Sequence, residues 1–299
     1  MALDDESVDQ DAVFKVAGGC QFTEGPAADA KGNLFFSDSP NNRIMVLRDK
    51  GSLKVWKEPS GRANGMNFDV QGRLVVCCAQ GEGGAREVQR YEDDGSVTVL
   101  ASEYDGKPLN SPNDLCFDPD GRIYFTDPRY GDQGDVEQDT MAVYRIEHDG
   151  TLVRVISGVE TPNGILMTTD GQTIYLVDNN PQDGGARTLL AYGFDNDEKV
   201  WLRKAEFYDF APGRGGDGMV LDVNGNIYLA AGSGEEGGVY VFSPTGEHLA
   251  FVPTPESPTN CTFGGKGFMT LYITAGTSVY AVECTTPVQL TYPKINGGT

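Results

Sequence analysis

Six side chains of closely related chemistry recur in this chain at a nearly constant distance from a glycine. Glu24, Asn64, Asn113, Asn163 and Asp217 stand eight residues before Gly32, Gly72, Gly121, Gly171 and Gly225, and Asn260 stands seven before Gly267. Every one is a carboxylate or a carboxamide, hence a hard oxygen donor. Two carboxylates drawn into a partly buried place repel each other and lose hydration, which is costly without a cation. No Lys, Arg or His occupies any of the six positions. A metal ion is the economical answer, and an oxygen-only set with no thiolate or imidazole selects Ca²⁺ over Zn²⁺. A roomy ring of donors also favours Ca²⁺ over Mg²⁺, and two carboxylates neutralise the ion. The plainer alternative is local: Asn64-Gly65 and Asn163-Gly164 are ordinary turn dipeptides, and a repeated asparagine can serve only to cap backbone groups.

What would bring such residues together is a repeat. The six glycines are separated by 40, 49, 50, 54 and 42 residues. The fullest copy, S-P-N-D-L-C-F-D-P-D-G-R-I-Y-F-T-D-P at 111–128, reads as two strands around an Asp-Pro-Asp-Gly turn. A second hairpin follows in most units, as at 44–56, 88–100, 143–156, 190–202 and 239–252. Four short strands per interval predict propeller blades, so the expected fold is all-β: a six-bladed β-propeller with four antiparallel strands per blade. The sixth unit has one strand too few, and Ala12 to Ala17 supplies a strand with no blade of its own, so the N-terminal strand is expected to close the ring. The expected organisation is an acidic disordered leader at 1–11, one propeller at 12–285 and a loose tail at 286–299. The aligned residues open the first, innermost strand of each blade, which points them at the central channel. Inserts at 79–87, 128–141 and 179–188 are expected to crowd one face.

Composition narrows the partners. A formal net charge of −21 argues against nucleic acid and anionic membranes. No apolar run reaches the ~20 residues of a membrane span. The first eleven residues are acidic, the reverse of a signal peptide's basic start. A leader removed beforehand would make the protein periplasmic or secreted rather than cytoplasmic. Six cysteines show no zinc spacing and leave room for one disulfide at most. His148 and His248 fall at outer-hairpin turns, which argues against a Ser-His triad. The glycine clusters at 81–84 and 213–216 lack the Lys-Ser/Thr of a phosphate loop. Asp38, Asp127 and Asp178 end the second strands of their blades and read as caps of the next loop.

F-T-E-G-P at 22–26, N-S-P-N-D-L at 110–115, Y-F-T-D-P-R-Y-G at 124–131, T-P-N-G-I at 161–165 and G-D-G-M at 216–219 resemble the SMP-30/gluconolactonase family, in wording closest to its bacterial branch. The resemblance runs from about Phe14 to Cys284. It implies a propeller holding one Ca²⁺ or similar divalent ion, with Glu24, Asn113, Asn163 and Asp217 as ligands, and hydrolysis of a sugar lactone. Ser111 stands where animal members carry an arginine, so their substrate contacts do not transfer. Under this reading Asp217 is the catalytic residue, orienting or deprotonating water, with a metal-bound water as the alternative nucleophile. Asn64, Asn113 and Asn260 are the candidates for holding substrate. The expected partner is a small lactone, and a monomer and a dimer are both compatible with the sequence. Two other functions stay open: a metal-dependent hydrolase of phosphorus esters, and a non-catalytic binding propeller.

Overall fold

A computed structural model of the chain describes residues 12–48 and 51–286. The expected leader at 1–11, and all but the first residue of the expected tail, lie outside the described residues.

Aspartate turns start the architecture. In four of the repeats an aspartate three residues before the glycine accepts two backbone N–H groups across the turn. Asp118 takes those of Asp120 and Arg122 at 3.0 and 2.9 Å, and Asp29, Asp69 and Asp222 do the same. The glycine then completes the turn in the left-handed region, Gly121 at φ +89°. Each turn joins the two inner strands of a blade, and consecutive strands go on pairing outward. The result is six antiparallel sheets of four strands.

The innermost strands are Thr23–Ala28, Ala63–Phe68, Leu115–Phe117, Pro162–Met167, Gly216–Leu221 and Pro258–Gly264. Each packs against its counterparts in both neighbouring blades, so the six surround the axis. The sixth blade takes its fourth strand from the other end of the chain: Phe14–Ala17 pairs antiparallel with Ser278–Glu283. The expected six-bladed ring and its closure are therefore both present.

Core residues lie between blades. Phe35 and Val46 of the first blade pack with Met66 and Val76 of the second, and comparable buried clusters fill each following seam. A fully buried Leu, Ile or Phe contributes about 1.5–3 kcal/mol, so each seam is worth many such increments. The closing seam is the thinnest, with Ala17 and Val279 against Leu34, Phe36, Met45 and Leu47. Polar contacts reinforce it: Thr259 Oγ1 donates to the Thr23 carbonyl, and Thr23 Oγ1 to the Ser278 carbonyl, both at 2.8 Å. All six cysteines are free thiols.

Candidate active site in the propeller channel

The innermost strands deliver the site through a shared irregularity. Thr23 pairs with Asp38, Ala63 with Cys78, Pro162 with Asp178 and Gly216 with Ala231, and within three residues each register then slips. A bulge of this kind re-aims the side chain it carries. Glu24, Asn64, Asn163 and Asp217 all sit at that slip, and Asn113 stands just ahead of its short strand. All five line one pocket of about 610 Å³. Glycines make the convergence possible: a Cβ at Gly25 would stand 1.9 Å from the Asn64 carbonyl, and one at Gly164 would stand 2.0 Å from that of Asp217.

Asn260 is placed elsewhere. Pro258 pairs with Ala275, so Thr259 is the positional equivalent of Glu24 and Asp217, eight residues before Gly267. The spacing is eight in all six blades, and the seven-residue spacing to Asn260 overshot it by one. Asn260 instead faces Asp114 in a separate cavity of about 80 Å³ further along the same strands. Its Oδ1 accepts the Cys261 N–H at 2.8 Å.

A second repeated device holds the site residues from behind. Asp38 accepts the N–H groups of Gln21 and Phe22, Asp127 those of Asn110 and Ser111, and Asp178 those of Glu160 and Thr161. In each case the second donor lies two residues before the pocket residue: Glu24, Asn113 or Asn163. These aspartates do cap a loop, but it is the loop entering the blade; Asp38 alone also binds Asn41 and Arg43 beyond it. The three inserts roof the pocket on one face, contributing Gln80, Tyr130 and Asn179 among others. The Tyr130 hydroxyl donates to the Asn179 carbonyl at 3.2 Å and accepts from Asn163 Nδ2 at 2.9 Å.

Burial is the main influence on the two carboxylates, and it pushes both pKa values up. Glu24, with the Asp217 charge nearby, is held well above the usual carboxylate range. Asp217 is raised by burial and pulled back by Arg214 and Asn163. Arg214 corrects the expectation that no cation attends the ring. Three residues before Asp217, in a glycine-rich loop, it ion-pairs with Asp217 Oδ2 and donates to the Pro258 carbonyl at 2.5 Å. Its position outside the repeat register hid it, although an arginine amid P-G-R-G-G-D-G was a signal. Glu24 has no such partner among the described residues; only the Gly25 N–H reaches it, at 2.8 Å.

Among the described residues, no group of three or more His, Cys, Asp or Glu side chains is placed to hold a metal ion by itself. The pocket does offer two carboxylates, one without a cation partner, and among the described residues the carboxamides of Asn64 and Asn113 make no protein hydrogen bond. That donor set fits a hard divalent ion. His148 and His248 are both exposed, away from the pocket.

Residues 22–277 match the model of the SMP-30/Gluconolactonase/LRE-like region. The chain belongs to this family. It is 31% identical to a gluconolactonase of Zymomonas mobilis, over 91% of this chain and 81% of the relative. Among solved structures it resembles a gluconolactonase from Xanthomonas campestris, with a TM-score of 0.80, 31% identity and coverage of 93% and 89% of the two chains. A calcium-binding regucalcin from Agrobacterium tumefaciens shares the fold, with a TM-score of 0.73, 19% identity and coverage of 91% and 92%. Within the SMP-30/gluconolactonase family fold the channel pocket is thus built from the five aligned residues, with Arg214 and Tyr130 added from loops.

Proposed function

We propose that this protein is a lactonase that hydrolyses the ring ester of a sugar lactone in the channel pocket, using a bound calcium ion. The observation that carries the reading is the buried Glu24–Asp217 pair meeting unpaired carboxamides in one pocket, in a chain aligned along most of its length with gluconolactonases. Glu24, Asn113, Asn163 and Asp217 would hold the ion. When bound, the ion supplies polarisation of the lactone carbonyl and positive charge for the oxyanion, typically several kcal/mol.

The chain's own groups do the rest. Asn64 and Asn113 offer amide donors and acceptors to the hydroxyls of the sugar. Asp217 takes a proton from water as the water oxygen bonds to the carbonyl carbon. The oxyanion then collapses, the bond from that carbon to the ring oxygen breaks, and the ring oxygen leaves with the proton returned by Asp217. Lactone plus water gives the open-chain hydroxy acid. Burial makes Asp217 a better base than an exposed aspartate, and Arg214 limits that gain while fixing the carboxylate's orientation. Tyr130, raised by burial and hence neutral, holds the Asn163 carboxamide. Asn260, turned to Asp114, is left out of the substrate contacts.

Asp217→Asn keeps the shape and one carbonyl donor. At saturating Ca²⁺ its kcat on gluconolactone is expected to fall by ~10²-fold or more, the usual loss with a general base. A rate near that of the parent would show that Asp217 is a ligand alone.

A further inference from the structure

Three guanidinium groups line the pocket, Arg62, Arg187 and Arg214, against two carboxylates, in a chain whose net charge is −21. Two of the three are engaged. Arg187 donates to the carbonyls of Pro212 and Gly213 at 2.5 and 2.7 Å, and Arg214 binds Asp217. Arg62 is not. Its Nε is buried without a hydrogen-bond partner, and among the described residues no carboxylate stands within ion-pair distance of it.

The backbone is built to present this side chain. Arg62 lies in the left-handed region at φ +57°, which a residue with a Cβ adopts only at a steric cost. Asn42 Oδ1 sustains it by accepting the N–H groups of Arg62 and Ser60 at 2.7 and 3.1 Å, and the Ala79 N–H binds the Arg62 carbonyl at 2.9 Å. Gly81 leaves room for the head group: a Cβ there would stand 2.7 Å from Arg62 Nη1. A partly buried guanidinium held in a strained turn without a counter-ion is unfavourable unless something anionic completes it.

We propose that Arg62 binds an anionic group on the substrate, a carboxylate or a phosphate, carried at the end of the sugar away from the lactone carbonyl. Arg62 enters from the second blade, across the six-membered ring from the fifth blade and its Asp217. A sugar lactone with its carbonyl towards Asp217 points its far end towards Arg62. The planar fork of a guanidinium matches both anions bidentately. The assignment rests on the lactonase reading of the same pocket and specifies its substrate class: lactones of aldaric acids or of phosphorylated aldonic acids.

The experiment compares kcat/KM at saturating Ca²⁺ for neutral gluconolactone, glucarolactone and 6-phosphogluconolactone. The parent protein is expected to prefer at least one anionic lactone by about tenfold or more, and the better of the two identifies carboxylate or phosphate as the group bound. In Arg62→Gln the anionic-to-neutral ratio is expected to fall about 10- to 100-fold through KM, as for a lost charge-assisted hydrogen bond. Arg62→Gly, which glycine's freedom at positive φ keeps foldable, should do the same, while Arg62→Lys retains part of the preference. A ratio near one in the parent, or an unchanged ratio in both Arg62→Gln and Arg62→Gly, would overturn the assignment. If no lactone is turned over, the lactonase reading fails by itself. Calorimetry with 6-phosphogluconate, glucarate and gluconate then decides on Arg62: tighter binding of the doubly anionic ligands that Arg62→Gln abolishes supports it, and equal binding in both proteins overturns it.

Discussion

Glu24 and Asp217 reach the pocket from the first and fifth blades, and burial holds both carboxylates above their ordinary range. Asp114, beneath them, is pushed up to about 7, again chiefly by burial. A carboxyl whose folded pKa exceeds its unfolded one contributes stability below the unfolded pKa and loses it as pH rises through the folded pKa. The metal-free protein is therefore expected to be less stable at pH 8 than at pH 5.5. Ca²⁺ held as proposed by Glu24 and Asp217 would compete with protons for them and should raise Tm more at pH 8. Thermal melts at both pH values check this, and a larger Ca²⁺ shift at pH 5.5 would contradict it. Glu24→Gln sharpens the point: removing a buried charge should raise the metal-free Tm at pH 8 while weakening Ca²⁺ at least tenfold by calorimetry. A metal-free Tm lowered by the substitution would mean that Glu24 is already neutralised by the protein. The sequence made the aligned carboxylates and carboxamides legible, because they share the repeat's register. Arg62 and Arg214 lie in the loops entering their blades, at positions where the other repeats carry unlike residues, so an alignment by shared chemistry did not expose them. Asn260 was misplaced because the last hairpin, with Gly267 inside a short 3-10 turn, gave a looser alignment.

At the scale of the strand, the site depends on the slip in four of the innermost strands and on the aspartates that clamp the loops entering three blades. The periodic text revealed the strands and their turn glycines, but a bulge leaves no mark in the alternation, and a carboxylate's choice of loop depends on tertiary approach. Asp178 shows what the clamp contributes, with its oxygens 2.9 and 2.7 Å from the N–H groups of Glu160 and Thr161. Asp178→Ala strands those two donors and is expected to cost about 1–3 kcal/mol, with weaker Ca²⁺ binding as Asn163 loosens. Asp170→Ala, at an exposed hairpin turn, should change Ca²⁺ binding little. Equal effects of the two on Ca²⁺ affinity would show that the Asp178 clamp does not position Asn163. Gly164→Ala tests the convergence itself: its Cβ would meet the Asp217 carbonyl at 2.0 Å, so the strands must part, and both stability and calcium binding should suffer. A Gly164→Ala protein with unchanged Tm would contradict the close approach.

The whole ring is a closed stack in which every blade buries its faces against two others. The strand Phe14–Ala17 serves both seams of the sixth blade, with neighbouring Val13 in the seam to the fifth and Ala17 in the seam to the first. Deleting residues 1–17 exposes the edge of Ser278–Glu283 and empties part of the thinnest seam, so Tm should drop in a single cooperative transition. An unchanged melting curve would refute the closure. This much was readable from repeat counting, since a missing strand at one end and a spare strand at the other admit few other pairings. The ring matters for function because it brings oxygen donors from five blades to one pocket. Calcium-dependent lactone hydrolysis in that pocket is checked by following gluconolactone hydrolysis above the spontaneous rate. The protein is first stripped of divalent ions and then titrated with Ca²⁺. Hydrolysis is expected to be lost on stripping and to return with Ca²⁺, in step with a rise in Tm; full activity in the exhaustively stripped protein would contradict a calcium-dependent site.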